Sequence, residues 1–181
     1  QREDHGHQRQ RCQAVRTGAA EHRQEMVKRT AVVKQWLETA AVADTEDQVF
    51  RLRLARELQS PPEVVAGHVK QLLGAQSAEG AWAQKPDMKP DAYATGSVLV
   101  ALHEASGLSC RDPAWQRGLE FLLRTQLADG SWRVATRAKP LQEFFESGFA
   151  HGKDQFISVF ATGWAAEALL LALLQGQEPA G

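Results

Sequence analysis

Cysteine is scarce in this chain: Cys12 and Cys110 are its only two in 181 residues. They stand far apart in unlike surroundings, which excludes a disulfide framework and a four-cysteine zinc site and leaves reduced thiols as the expectation. A charge excess is missing as well, with 21 Lys and Arg against 22 Asp and Glu. No whole-chain field exists to draw in a phosphate backbone, so nucleic acid is not an expected partner. Residues 1–25 hold no apolar run of the kind a signal peptide needs, and the default localisation is cytoplasmic. The chain opens at Gln1 rather than Met, so the expectation is a processed chain or a piece of a longer one.

What is present reads as helix. Residues 1–25 are rich in Gln, Arg, His and Glu without helical periodicity, and we read them as a mobile polar arm; its close pair His5 and His7 is read as solvated rather than as a metal site. From Met26 onward apolar periodicity is broken only by short Pro, Gly, Asp and Ser stretches, so the fold class is all-α and residues 26–176 form one domain.

That domain repeats itself. Val69–Trp82 aligns with Leu119–Trp132 at an offset of 50, placing Leu72, Leu73, Gln76, Gly80 and Trp82 on Leu122, Leu123, Gln126, Gly130 and Trp132. The following helix repeats at an offset of 67: Ala94-Thr95-Gly96 and Leu102 match Ala161-Thr162-Gly163 and Leu169, so the second copy carries a 17-residue insertion. A fainter first copy puts Val33, Trp36 and Leu37 on Val69, Leu72 and Leu73, and Thr45 and Leu52 on Thr95 and Leu102. The unit is a helical hairpin present three times, with helices expected at 26–40 and 45–58, 61–76 and 91–106, and 112–126 and 154–174. First members carry one apolar stripe each (Val65, Val69, Leu72, Leu73; Trp115, Leu119, Leu122, Leu123) and form an outer layer. Second members are apolar nearly all round and form an inner layer. The last of them, Phe156–Leu174, has one charge, Glu167, and approaches the length of a membrane span; its match to the shorter helix at 91–106 favours burial in the helical array.

The segment Arg117-Gly118-x-x-Phe121-Leu122-x-x-x-Gln126-x-x-x-Gly130-Ser131-Trp132 resembles the QW motif of the triterpene cyclases, within the superfamily that includes protein prenyltransferase β-subunits. The copy ending in Gln76, Gly80 and Trp82 keeps the second half of the pattern, with His68 and Gln71 where Gly and an aromatic would stand. The likeness covers residues 28–174. Read from the residues alone, Gln126 bonds to the turn beside Trp132 while Gly130 permits the reversal, a structural brace rather than a catalytic group.

The resemblance implies a partial α/α toroid of three hairpins around an apolar cavity. A full ring takes about six, so the rest is expected from self-association or a missing domain. It implies an apolar isoprenoid-type ligand, peripheral membrane contact and no cofactor. Cyclases take their acid from an Asp-x-Asp-Asp motif, which this chain lacks; a metal site of the prenyltransferase kind has no counterpart either, and no metal is expected. Asp91 and Asp154, each just before an inner helix, are the candidate catalytic carboxylates, with helix capping as the alternative. The insertion at 134–153 supplies Phe144, Phe145, Phe149 and His151, which with Trp82, Tyr93, Phe156 and Trp164 make the candidate substrate-binding set, an aromatic lid over an apolar pocket. The same loop is equally readable as hairpin closure. Arg133, Arg137 and Lys139 carry charge enough for an anion, or form a solvated surface. Two functions follow: a squalene-cyclase-like domain, and a non-catalytic α/α-toroid module for binding or scaffolding.

Overall fold

The computed structural model describes residues 2–137 and 145–176, with residues 2–19 followed by their backbone alone. Among the described residues the fold is all-α: the only β-type pairing is a single bridge between Ala83 and Pro90. The chain divides into two compact units, Gln1–Ala41 and Val42–Gly181.

The first unit is one helix, α1, Arg2–Thr39. It corrects the boundary expected at residue 25, because the helix runs unbroken through the segment read as an arm, and the chain divides after Ala41 instead. The composition explains the difference. Gln, Arg, Glu and Ala are all strong helix formers, so backbone propensity favours helix even where no apolar face exists to bury. An i, i+4 ion pair, Arg29 Nε to Glu25 Oε1 at 2.8 Å, adds to it. Val33 and Trp36 of the faint first repeat are exposed on this helix, as are Met26 and Val27, while Leu37 of that repeat is half-buried.

The second unit holds five helices, α2 (Thr45–Glu57), α3 (Pro62–Gly74), α4 (Ala92–Ser106), α5 (Pro113–Thr125) and α6 (Gln155–Gly176), the last preceded by a 3-10 turn, Gly152–Asp154. Their bounds follow from local chemistry. Asp44, Asp91 and Asp112 are N-caps whose carboxylates accept the backbone N–H groups of Asp47, Ala94 and Ala114. Pro62 and Pro113 open α3 and α5, where a missing N–H costs nothing. Gly107 ends α4 in the left-handed conformation, φ 72°.

Helix α4 lies at the centre of this unit, packed on α6, α2, α5 and α3, and nearly every residue from Ala92 to Ala105 is buried. Its burial on several sides accords with a sequence that is apolar nearly all round. Helix α6 differs from its repeat partner. Ser158, Ala161, Ala165 and Ala168 are buried, but Phe156, Val159, Phe160, Leu170, Leu173 and Leu174 on the opposite side are exposed. Being apolar all round reports what a helix is able to bury, not what covers it. With the preceding turn, Gly152–Gln175 is also long and apolar enough to cross a membrane. On α5 the buried residues are Trp115, Gly118, Phe121 and Leu122, while Leu123, expected in the stripe, is 54% exposed.

The two Gly-x-Trp corners have the same geometry. Gln76 Nε2 donates to Gly80 O at 2.7 Å and Gln126 Nε2 to Gly130 O at 2.9 Å. The indole N–H of Trp82 donates to Leu72 O at 2.6 Å, and that of Trp132 to Leu122 O at 2.9 Å. The backbone N–H of each tryptophan donates at 3.1 Å to the hydroxyl of a repeat-related threonine, Thr95 or Thr162. Gly80 and Gly130 sit at φ 82° and 85°, where a side chain would be strained. The third threonine of the series, Thr45, donates from its hydroxyl to Ala83 O at 2.6 Å, tying α2 to the first corner.

Candidate functional site

The amino ends of α2, α4 and α6 carry a linked polar cluster. Asp91 caps α4 through Ala94 N at 2.9 Å, and its second oxygen accepts from Gln84 Nε2 at 2.7 Å. Capping and the helix dipole favour an ionised carboxylate, yet burial outweighs them and pushes the Asp91 carboxyl above its ordinary value. Asp154 behaves in the opposite way. It belongs to the 3-10 turn rather than capping α6, is 2% exposed, and accepts from Thr136 N at 2.9 Å and from Arg133 Nη2 at 3.0 Å. The Thr136 N–H bond, with the Arg133 guanidinium beside it, holds Asp154 below its ordinary value.

Arg137 bridges the neighbouring acids, with Nη2 2.9 Å from Asp44 Oδ2 and 3.9 Å from Glu46 Oε2. Glu46 also accepts the Tyr93 hydroxyl at 2.9 Å; burial first, and that bond second, push the phenol up to about 12. Arg133 and Arg137, read in the sequence as a prospective anion site, are thus occupied by carboxylates of their own fold. Lys139 and Phe144 lie outside the described residues.

The two aspartates predict opposite pH behaviour. A depressed folded value means that Asp154 stabilises the fold above its unfolded value of 3.8, and that this contribution is lost as pH falls through the folded value. A raised value means that Asp91 withdraws stability as pH rises from 3.8 through its folded value. Chemical denaturation across the acid range is therefore expected to show a flatter acid limb for Asp154→Asn and a steeper one for Asp91→Asn.

The aromatic set does not come together as one lid. Trp82 is fully buried with its N–H bonded to Leu72 O, so it belongs to the core rather than to a ligand surface. Phe145, Phe149 and Phe156 are exposed at 68%, 51% and 52%, and Tyr93 is half-buried. His151, at φ 79°, places Nε2 2.8 Å from Ser131 Oγ, and that hydroxyl also donates to Asp129 Oδ1. The carboxylate thus binds the serine rather than orienting the histidine, which is not the order of a catalytic triad.

Sequence reading missed a second cluster spanning α2, α4 and α6. Arg53 Nη2 lies 3.2 Å from Glu104 Oε2, and its guanidinium sits 5.5 Å over the Trp164 ring. Glu167 faces the same group; burial and then the Glu104 charge push its carboxyl up, against the pull of Arg53. The available signal was the pair of lone charges, Glu104 and Glu167, on otherwise apolar helices. Their meeting with Arg53 depends on packing between segments more than 50 residues apart and has no local signature.

Away from the aspartates, near the carboxyl ends of α2 and α4, a cleft of about 1330 Å³ opens between Ala55, Arg56, Gln59 and Ser60, the α3 face of Val65, Ala66, Val69 and Leu73, and residues 105–109. Its lining joins the aliphatic residues of α3 to the polar Gln59, Ser60, Ser106 and Ser109, its charged groups are Arg56 and Lys70, and no carboxylate is among the lining residues. No protein-family model matches the chain, and no curated protein matches it.

Proposed function

We propose that this chain is a non-catalytic module of the α/α-toroid type, resembling the terpenoid-cyclase repeat, that binds an apolar isoprenoid-type ligand in the cleft between α2, α3 and α4. The observation that carries this reading is the cleft itself. It is lined by Val65, Val69, Leu73, Ala105 and Leu108, with Arg56 and Lys70 its charged groups. A cleft of that volume with an aliphatic α3 wall suits a long hydrocarbon chain and offers no carboxylic acid to protonate it. Support for the toroid comes from the two identical corners at an offset of 50 and from the central burial of α4.

The non-catalytic part rests on the aspartates. Asp154 is held ionised by Arg133 and Thr136, and a carboxylate so held is a poor proton donor. The cyclase-like reading draws on one observation, the raised Asp91 carboxyl, which is the direction an acid catalyst needs. Squalene and a long-chain polyprenol, each added to the full chain, are expected to raise its Tm by about 3 °C or more. Val69→Asp, on the cleft floor, is expected to remove that shift. No shift with either lipid sinks the binding reading; conversion of squalene that disappears in Asp91→Asn replaces it with the enzymatic one.

A further inference from the structure

Among the described residues of the second unit, one face of α6 has no partner, and its pattern is specific. Phe156, Val159, Gly163, Ala166, Leu170 and Leu173 are all exposed. They are spaced 3, 4, 3, 4, 3 along the helix, the two-per-heptad spacing of a coiled-coil seam, and the exposed Phe160 and Leu174, each one position past a seam residue, flank it along one edge. The buried residues Ser158, Ala161, Ala165 and Ala168 occupy the opposite side, against α4.

The repeat shows what such a face accepts. Gly96 of α4 and Gly163 of α6 are equivalent positions. At Gly96 an added Cβ would meet Ala165 N and Trp164 C at 2.8 Å, so α6 crosses α4 there at backbone contact. At Gly163 an added Cβ would meet nothing within 4 Å. The same small-residue saddle that seats one helix on α4 is thus presented, empty of neighbours, at the middle of the α6 seam.

The side-chain sizes along the seam identify the occupant. In order they are large, medium, small, small, large, large, close to a palindrome. Laid antiparallel on its own copy, the seam pairs Phe156 with Leu173, Val159 with Leu170, and Gly163 with Ala166, so the bulky ends meet bulky ends and the helices close at the small centre. These are the alternating layers of an antiparallel coiled coil, they set opposed helix dipoles side by side, and they form a self-complementary two-fold surface. Glu167 falls at the edge of the seam, on the side where Arg53 and Trp164 lie. A lipid bilayer is a poorer match, because Ser158 and Thr162 anchor α6 to the backbone of Val134 and Trp132 and its alanine face is buried in protein.

We propose that α6 is the interface between two copies of this chain, paired antiparallel about Gly163 and Ala166. The pairing does not require the ligand-binding reading and stands or falls separately from it. Sedimentation equilibrium of the full chain at micromolar concentration is expected to give about twofold the mass of one chain. Val159→Glu and Leu170→Glu, at exposed positions, are each expected to raise the dimer dissociation constant at least about tenfold with unchanged circular dichroism. Leu123→Glu puts the same charge on an exposed leucine of α5 and is expected to leave the mass unaltered. In a Cys12→Ser background, Phe156→Cys combined with Leu173→Cys is expected to form a covalent dimer on mild oxidation, and Phe156→Cys alone is not. A monomer at every concentration, a dimer indifferent to both glutamate variants, cross-linking by Phe156→Cys alone, or a monomer that sediments with phosphatidylcholine vesicles would each overturn the proposal.

Discussion

Trp82→Ala is expected to destabilise the fold by about 3–5 kcal/mol, the range for removing a large aromatic from a packed core. Trp82 is 0% exposed and joins three helices. Its indole N–H donates to Leu72 O at the end of α3, its backbone N–H donates to the Thr95 hydroxyl on α4, and its ring lies against Gly118 of α5, where an added Cβ would meet Trp82 Cζ3 at 3.0 Å. Alanine removes the ring from Leu72 and Gly118, keeps the backbone bond to Thr95, and leaves the Leu72 carbonyl, in the last turn of α3, with only the Ala75 N–H at 3.2 Å. Trp82→Phe separates the two effects, since the ring is largely retained and the donor is lost; its expected cost is about 1–3 kcal/mol. Guanidinium unfolding followed by far-ultraviolet circular dichroism measures both, and a fall in the midpoint at constant m-value assigns the change to stability. If Trp82→Ala costs no more than truncating the exposed Leu123, the corner is not a brace and the repeat loses its structural meaning.

The corners were legible from sequence because most of their parts are local. Gln126, Gly130 and Trp132 lie within seven positions, and the bonds of the Gln126 and Trp132 side chains are to the turn they enclose and to the helix just before it, while the Trp132 N–H bond to Thr162 reaches across 30 positions. The helix bounds of α2 to α5 were legible for a similar reason: Asp44, Asp91, Asp112, Pro62, Pro113 and Gly107 act on backbone groups beside them. What failed was each inference that needed to know what lies across a gap. Tryptophan chemistry is the same in a core and in a ligand wall, so the sequence puts Trp82 in both the corner motif and the substrate-binding set, and the structure buries it fully in the core. The pattern of α5 placed Leu123 in its stripe, but the register of α5 on α4 leaves that residue outside.

The site was less legible than the fold, for electrostatic reasons. Asp91 and Asp154 look alike in sequence, each ahead of an apolar helix. Their environments differ through Gln84, Arg133 and Thr136, one of which arrives on the bridge segment after Trp82 and two on the extended segment after Trp132. Capping is the sequence's alternative to catalysis for both, and it holds for Asp91 alone. Even there the balance runs against expectation, because desolvation exceeds the combined effect of the cap bond and the Gln84 amide. A sequence states which groups are able to ionise, while their relative burial is decided by the packing of α4 against α2 and α6.

Gly96→Ala and Gly163→Ala are expected to move stability in opposite directions, although the two positions are equivalent in the repeat. In isolation each exchange favours helix by about 0.8–1 kcal/mol, since glycine is the poorer helix former. At Gly163 nothing obstructs the methyl group, so the gain is expected to appear nearly in full when stability is measured at low protein concentration. At Gly96 the methyl would stand 2.8 Å from Ala165 N and Trp164 C and 2.9 Å from Trp164 Cβ, two of them backbone atoms of α6 that no rotamer change can move. Helix α6 must then shift away from α4, straining the Thr162 hydroxyl bond to Trp132 N and the Ser158 bond to Val134 N, and overpacking of this kind costs about 1–3 kcal/mol. The net expectation is a loss at Gly96 and a gain at Gly163, read as opposite shifts of the denaturation midpoint. A Gly96→Ala variant as stable as the parent would mean that α6 does not rest on α4 at backbone contact, and the equivalence that links the α4 saddle to the open face of α6 would go with it.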